Sequence, residues 1–344
     1  MLPSRLPEPR LHLPGTGEPS LRWGIVGPGW IAGEFAGAVR THTAQRITAV
    51  ASRSRERASA FAATHGIEHA LDSTEQLVSH PDVDVVYVAT PQSEHLAVGL
   101  AAIAAGKHVL IEKPITVTAA EAKTLAQAAR AAGVLVMEGM WSRYLPQASV
   151  IRQLIDDGVL GEIRTVLADH GQAITADPQH RLYRPELGGG ALLDLGIYPV
   201  QFASMVLGPP TRVTAVGGMT KTGVDAYSTL VLTHEHEAQA TLFSSILART
   251  PMTAVIAGTE ATLSIDGSFY VPTSFTLSAA EHGGASLTWS DPTDLRLFDG
   301  LSWEATALAR FVAEGRTESP VHTLDENISI LATIDEARAQ LAAR

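Results

Sequence analysis

Three short stretches carry residue types and spacings suited to chemistry. The first, Gly27-Pro28-Gly29-Trp30-Ile31-Ala32, directly follows the apolar run Trp23–Val26. It reads as strand, tight turn and helix, with G-x-G-x-x-A at Gly27, Gly29 and Ala32. The first glycine permits the turn. The second lets backbone approach a pyrophosphate at the helix N-terminus, and the small third residue allows close helix–strand packing. The second stretch is Gly106-Lys107-His108-Val109-Leu110-Ile111-Glu112-Lys113-Pro114, in which a strand ends at a lysine just before proline. In a parallel sheet that is the carboxyl edge, where ligands bind. The third is the glycine-rich run 188–199, where Asp194 and Tyr198 stand four apart and share a helix face. Pro199 fits such a helix only near its start. Taken singly, a lysine at a strand end and an Asp–Tyr pair at this spacing also suit ordinary surface positions.

The second strand of a dinucleotide-binding domain ends at the residue that reads the adenosine ribose. An acid there bonds a free 2′-hydroxyl and repels a 2′-phosphate. Here the strand runs into Ser52-Arg53-Ser54-Arg55-Glu56-Arg57, with no acid at 52. An arginine fork at 53, with Arg57 nearby, suits a phosphate dianion. The expected cofactor is therefore NADP.

Elements that could position these residues follow a clear rhythm from Leu21. Strands are expected at Trp23–Val26, Ile47–Ala51, Val83–Ala89, His108–Ile111 and Val134–Met137. Helices are expected at Ile31–Val39, Arg55–His65, Glu94–Ala105 and Ala119–Ala132, the last opened by the capping box Thr118/Glu121 and closed by Gly133. This alternation predicts a parallel sheet covered on both faces. After Trp141 the pattern changes. A helix at Gln147–Asp156, a strand at Ile163–Asp169 and the helical segment 188–207 precede strands at Arg212–Gly217, Tyr227–Thr233, Ala238–Ser245, Thr253–Ala257, Ala261–Ile265 and Ser274–Ser278. Strands without intervening helices predict an antiparallel sheet. Helices near 300–314 and 325–342 close the chain. The predicted class is α/β: a Rossmann doubly wound domain at 21–140, then an α/β domain at 141–344 with a large, mostly antiparallel open sheet, and a catalytic cleft between them. Five prolines in residues 1–20 predict a flexible or extended arm, a disordered tail being favoured.

Composition narrows the function classes. The formal net charge is −11, without a basic cluster, so no nucleic-acid partner is expected. No apolar run reaches the ~18 residues of a membrane span. Cysteine is absent, which removes disulfide and thiolate chemistry and fits a cytoplasmic location. His234-Glu235-His236 reads as a hairpin tip, not a metal pair, because no third ligand is suggested. Asp156-Asp157 reads as an ordinary helix end.

In combination these motifs resemble the family of glucose–fructose oxidoreductases and inositol dehydrogenases. The pieces are the glycine turn, Glu112-Lys113-Pro114, Thr90-Pro91-x-x-x-His95, and Gly189-Gly190 leading into Asp194-x-Gly196-x-Tyr198. Met137-Glu138-Gly139-Met140-Trp141-Ser142-Arg143 places the chain near the dihydrodiol-dehydrogenase and aldose-oxidising branch. The resemblance implies an NADP(H)-dependent oxidoreductase acting on a CH–OH/C=O group of a sugar, cyclic polyol or trans-diol. It implies Lys113, Asp194 and Tyr198 as catalytic residues, and Trp141 and His170 beside the substrate. It implies Gly27, Gly29, Trp30, Ile31, Ser52, Arg53, Arg57, Thr90, Pro91, His95, Glu112 and Lys113 around the cofactor. His170 stands where dihydrodiol dehydrogenases are expected to carry phenylalanine, which points to a more polar ligand. The chemistry is consistent: a phenol with an unperturbed pKa of about 10 needs a neighbouring cation to exchange a proton near neutral pH. No metal is required, because the cofactor carries the redox step. Alternative readings are a hydrolase or lyase that retains its cofactor for transient oxidation of a glycoside, and a non-enzymatic NADP-binding regulator. An open sheet face needs a cover, so a homodimer or homotetramer is expected.

Overall fold

The structure is a computed structural model that describes residues 2–10 and 12–343. The chain divides into two compact units.

The first unit comprises residues 12–144 and 295–328. Its strands are β1 (Arg22–Val26), β2 (Arg46–Ala51), β3 (His69–Leu71), β4 (Val85–Val88), β5 (His108–Glu112) and β6 (Val136–Gly139). All pair in parallel, in the order β3-β2-β1-β4-β5-β6. This is the strand order of a doubly wound dinucleotide-binding sheet, with the order reversing between β1 and β4. Helices α1 (Trp30–His42), α2 (Arg55–His65), α3 (Thr74–Val78), α4 (His95–Ala104) and α5 (Ala119–Ala132) make the crossovers. Thr118 caps α5 through the Glu121 amide at 3.3 Å, and Gly133 ends it in the left-handed region. The Glu121 carboxylate accepts from Val117 N, one residue before the cap.

The second unit comprises residues 2–10, 145–294 and 329–343. It contains α6 (Pro146–Asp156), β7 (Ile163–Gly171), a π-helical turn (Leu192–Gly196) and α7 (Ile197–Leu207). Strands β8 (Arg212–Met219), β9 (Asp225–Thr233), β10 (Gln239–Ser245), β11 (Ala254–Gly258), β12 (Ala261–Ile265), β13 (Phe275–Ala279) and β14 (Ser286–Trp289) complete its sheet. The order is β14-β13-β12-β11-β7-β10-β9-β8, antiparallel except at the β7–β10 pair. One face is covered by α7, which packs on β7 and β10. The remaining helices are α8 (Leu301–Ala313), in the first unit, and α9 (Leu324–Ala342).

Three expectations need correction. Residues 295–328 belong with the first unit, not with everything after 141. α8 packs on α1, burying Trp303, Leu308 and Phe311, and His42 Nε2 lies 3.1 Å from Asp299. The N-terminal arm is extended but tied down. Ser149 exchanges bonds with Arg10 N and O, and Gln153 donates to Glu8 O at 2.9 Å. Farther along, Arg310 donates to Thr16 O at 3.0 Å. Strands β3 and β14, of three and four residues, were not expected from the sequence pattern. Separately, Pro185–Leu207 is long and apolar enough to cross a membrane by length and composition only. Of its most apolar window, 83% is buried within the protein, as in the core helix of a folded domain.

Candidate active site

The glycine turn joins β1 to α1. Gly27 has φ +92°, and a Cβ there would lie 2.8 Å from the backbone of Ala89 and Thr90. Gly27 is thus required by the fold itself. Gly29 differs: it caps α1 in an extended conformation, and a Cβ there would meet nothing within 4 Å. The first turn of α1 carries no acid. Open space before unneutralised helix amides is what a pyrophosphate needs. Thr90 Oγ1, at the end of β4, is buried without a partner among the described residues. A dinucleotide's hydroxyls or amide would satisfy such an atom, so these residues fit the group.

At the end of β2, Ser52 Oγ accepts from Ser54 N, and Ser54 in turn caps α2 through Arg57 N. Arg53 is 87% exposed, and its Nη1 lies 3.3 Å from Glu94 Oε1. Such an exposed pair is weak and readily exchanged for a phosphate.

Two expected cofactor contacts have another task. His95 is buried, with Nδ1 2.8 Å from Pro114 O and Nε2 3.0 Å from Thr90 O. Burial pushes its pKa down, against the pull of those carbonyls. His95 therefore ties the loop after β4 to the loop after β5. Glu112 is buried too: Oε1 accepts from Tyr87 Oη at 2.5 Å and Oε2 from Lys113 N at 3.2 Å. Both residues position Lys113 and Thr90 rather than offering a free group to a ligand.

Lys113 follows β5 directly and precedes a cis proline. Its loop is held again two residues on, where Ile115 N donates to Glu138 Oε1 at 2.8 Å. Glu138, in β6, also accepts from Asn327 Nδ2 at 3.0 Å. Burial raises its pKa to about 7. Glu304, wholly buried on α8, is raised well above the carboxylate range by burial, then by the charges of Glu112 and Glu138. These values carry a sign for stability. A carboxyl raised from 4.5 to about 7 favours the fold below pH 4.5 and loses that contribution as pH rises through 7. The loss is on the order of 3 kcal/mol. Thermal melts from pH 5 to pH 8 should therefore fall less steeply in Glu138→Gln than in the parent; parallel slopes would refute the assignment.

Near the glycine turn, Trp30 is 66% exposed and meets Phe298 edge-on at 4.9 Å. Phe298 stacks on Trp141 at 5.6 Å. Trp141 is buried, so its ring reaches the surface through an aromatic row that begins at Trp30. Ile31 is the next residue of α1, and Pro91 starts the short turn before α4.

In the second unit, the segment bearing Asp194 and Tyr198 is built around Asp225. A Cβ on Gly190 would strike Asp225 Oδ1, and one on Gly189 would crowd the carbonyls of Leu182, Arg184 and Arg181. With no side chain there, Asp225 Oδ2 accepts from Leu192 N at 2.6 Å, capping the helix start. Burial raises the Asp225 pKa, opposed by the Leu192 hydrogen bond. The helix then opens into a π turn over Leu192–Gly196, within the helical segment expected at 188–207. Pro199 cannot donate to the ladder, and the wide turn lies just upstream of it.

Tyr198, on α7, leans against β7. Its ring is 5.3 Å from His170 and 4.6 Å from Tyr270, and His170 stacks on Tyr270 at 4.4 Å. Gln172 Nε2 lies 3.0 Å from His170 Nε2. Burial raises the Tyr270 pKa, so this second phenol stays protonated. Arg181 Nη2 bonds both oxygens of Asp194, at 3.0 and 3.2 Å. Asp194, Tyr198 and His170 are thus brought together as expected. Lys113 belongs to the other unit. Sequence reasoning missed Asp225, Tyr270, Gln172, Arg181 and Phe298. Only Gly189-Gly190 carried a hint, as paired glycines mark a close approach.

Residues 21–140 match the model for an oxidoreductase family with an NAD-binding Rossmann fold, and residues 149–264 match the GFO/IDH/MocA C-terminal domain. The chain is 36% identical over 324 residues to a trans-1,2-dihydrobenzene-1,2-diol dehydrogenase of Xenopus tropicalis, covering 93% of this chain and 98% of that protein. The human protein of that name is 35% identical over 326 residues, with 93% and 96% covered. Among solved structures, an aldose-aldose oxidoreductase from Caulobacter crescentus complexed with glycerol superposes with TM-score 0.83 at 26% identity, over 94% of this chain and 98% of that one. A 3-ketoreductase from Actinomadura kijaniata in complex with NADP and TDP-benzene gives 0.80 at 27%, over the same shares. With its glycine turn open to a dinucleotide and both halves matched, the chain belongs to the GFO/IDH/MocA family and is a nicotinamide-dependent oxidoreductase.

Proposed function

We propose that the chain uses NADP(H) to interconvert CH–OH and C=O on a sugar or cyclic polyol, with trans-diols as further substrates. The observation that carries this reading is the polar ring cluster of Tyr198, His170 and Tyr270 beside the Arg181–Asp194 pair. Such a wall offers hydrogen bonds to several hydroxyls and little purely apolar surface. The bound nicotinamide supplies the hydride acceptor or donor. Tyr198 takes the hydroxyl proton in oxidation and returns it in reduction. The Lys113 ammonium favours the phenolate and stabilises charge on the same oxygen. Asp194 accepts a hydroxyl proton donor and orients the reacting carbon. The names of the relatives, covering a diol dehydrogenase, an aldose oxidoreductase and a ketoreductase, span this substrate range. The test is a panel of sugars, polyols and diols with NADP⁺ and NAD⁺, followed by reduced-cofactor absorbance. Turnover of a sugar or polyol supports the reading; no net reduction with any of them overturns it.

NADP preference rests on Arg53 and the missing acid at 52. Arg53→Asp should raise the Michaelis constant for NADPH by about 10–100-fold and leave that for NADH nearly unchanged. Equal effects on both cofactors would remove the preference.

The outer face of the eight-stranded sheet supports assembly. Leu167 on β7, Val216 on β8 and Tyr227 on β9 share that face by register and are exposed. A homodimer or homotetramer through this face is proposed. Light scattering should find a multiple of the chain mass, reduced to one chain by Leu167→Asp with Val216→Asp. The absence of cysteine fits a reducing compartment, and the cytoplasm is the proposed location.

A further inference from the structure

We propose that Arg181 is a positioning residue for the reaction, acting through Asp194; this rests on the functional reading above. Arg181 lies in a short turn, Arg181–Tyr183, whose place is fixed without its charge. Leu182 and Tyr183 are buried in a cluster with Ala191, Leu195 and Ile246. Gly190 N donates to Leu182 O at 2.9 Å, and Tyr183 Oη to Ile174 O at 3.2 Å. The Arg181 side chain is 53% exposed, so its removal leaves the turn seated. An exposed arginine paired with an exposed acid would be a surface detail. Here the partner carboxylate is only 8% exposed and lies one helical turn before Tyr198.

One nitrogen, Nη2, straddles both Asp194 oxygens. It therefore restrains the plane of the carboxylate. The charge of Asp194 is felt at Tyr270, which packs on Tyr198, so the carboxylate belongs to the same cluster as the phenol. A lysine ammonium carries the same charge on a more flexible stem, so it would hold Asp194 less firmly.

The test compares Arg181→Gln, Arg181→Lys, Asp194→Asn and the double variant Arg181→Gln/Asp194→Asn on the sugar turned over best. Arg181→Gln is expected to lower kcat/KM about 10–100-fold, and Arg181→Lys to recover part of that loss. The double variant should be no worse than Asp194→Asn alone, because Arg181 acts only through that carboxylate. Melting temperatures should match the parent. Unchanged kcat/KM in Arg181→Gln, or losses that multiply in the double variant, would overturn the proposal. A crystal structure of Arg181→Gln gives a second readout that does not depend on turnover. A turned Asp194 carboxylate supports the role, and an unmoved one refutes it. If the parent oxidises no sugar, polyol or diol, the functional reading fails instead, and this structure still decides whether Arg181 orients Asp194.

Discussion

Tyr198→Phe and Lys113→Met are each expected to lower kcat by ~10²–10⁴-fold while leaving dinucleotide affinity nearly unchanged. The phenylalanine ring keeps the contacts with His170 and Tyr270, which depend on the ring faces and not on the hydroxyl. It removes the hydroxyl to which the proposed function assigns the proton transfer. Lys113→Met keeps the loop, because Glu112 holds the Lys113 amide, Glu138 holds Ile115 and His95 holds Pro114. It removes the ammonium that the proposed function assigns to favouring the phenolate. The pH profiles add a sharper check. If the lysine favours the phenolate, residual activity in Lys113→Met should move to higher pH. Stopped-flow turnover together with a cofactor titration measures both quantities. Retention of most activity in both variants would remove these residues from the chemistry.

The glycine turn gives the second large effect, and it divides between two neighbouring positions. Gly27→Ala should damage folding. Its φ of +92° is costly for any L side chain, and the added methyl would meet the backbone of Ala89 and Thr90 at 2.8 Å. A cost of about 2–4 kcal/mol is expected, lowering the melting temperature by roughly 5–15 °C. Gly29→Ala should do the reverse. Its backbone is extended and a methyl there meets nothing within 4 Å, so the melt without cofactor should be unchanged. The methyl would fill the space a pyrophosphate needs, weakening dinucleotide affinity about 10–100-fold. Fluorescence of the exposed Trp30, the first residue of α1, offers a direct titration signal. Unaltered affinity in Gly29→Ala would mean that the cofactor phosphates lie elsewhere.

How much of this was legible in the sequence depended on whether a signal was local. The glycine turn, the Lys113–Pro114 strand end and the Thr118 cap are each written within a few adjacent residues, and the structure shows each in place. Strand–helix alternation gave the parallel sheet, since buried strands must be apolar throughout. Contacts made across long separations left no such mark. Asp225 reaches the Leu192 amide from β9, and Tyr270 arrives from a loop between β12 and β13. His95 and Glu112 were legible as site residues, yet their partners could not be read. Both look like ligands for a cofactor, and both spend their polar atoms on the loops around it. Residues 295–328 return to the first unit because α8 covers α1, a choice of partner that helix periodicity alone does not specify.

The Asp225 cap has a consequence for how such a protein can change. The backbone that carries Tyr198 is anchored at its foot, by one acid and two glycines, and nothing in that anchorage involves the phenol. The tip is therefore an exchangeable tool on a fixed handle. A different proton carrier could be mounted at 198, retuning the working pH, without rebuilding the mount.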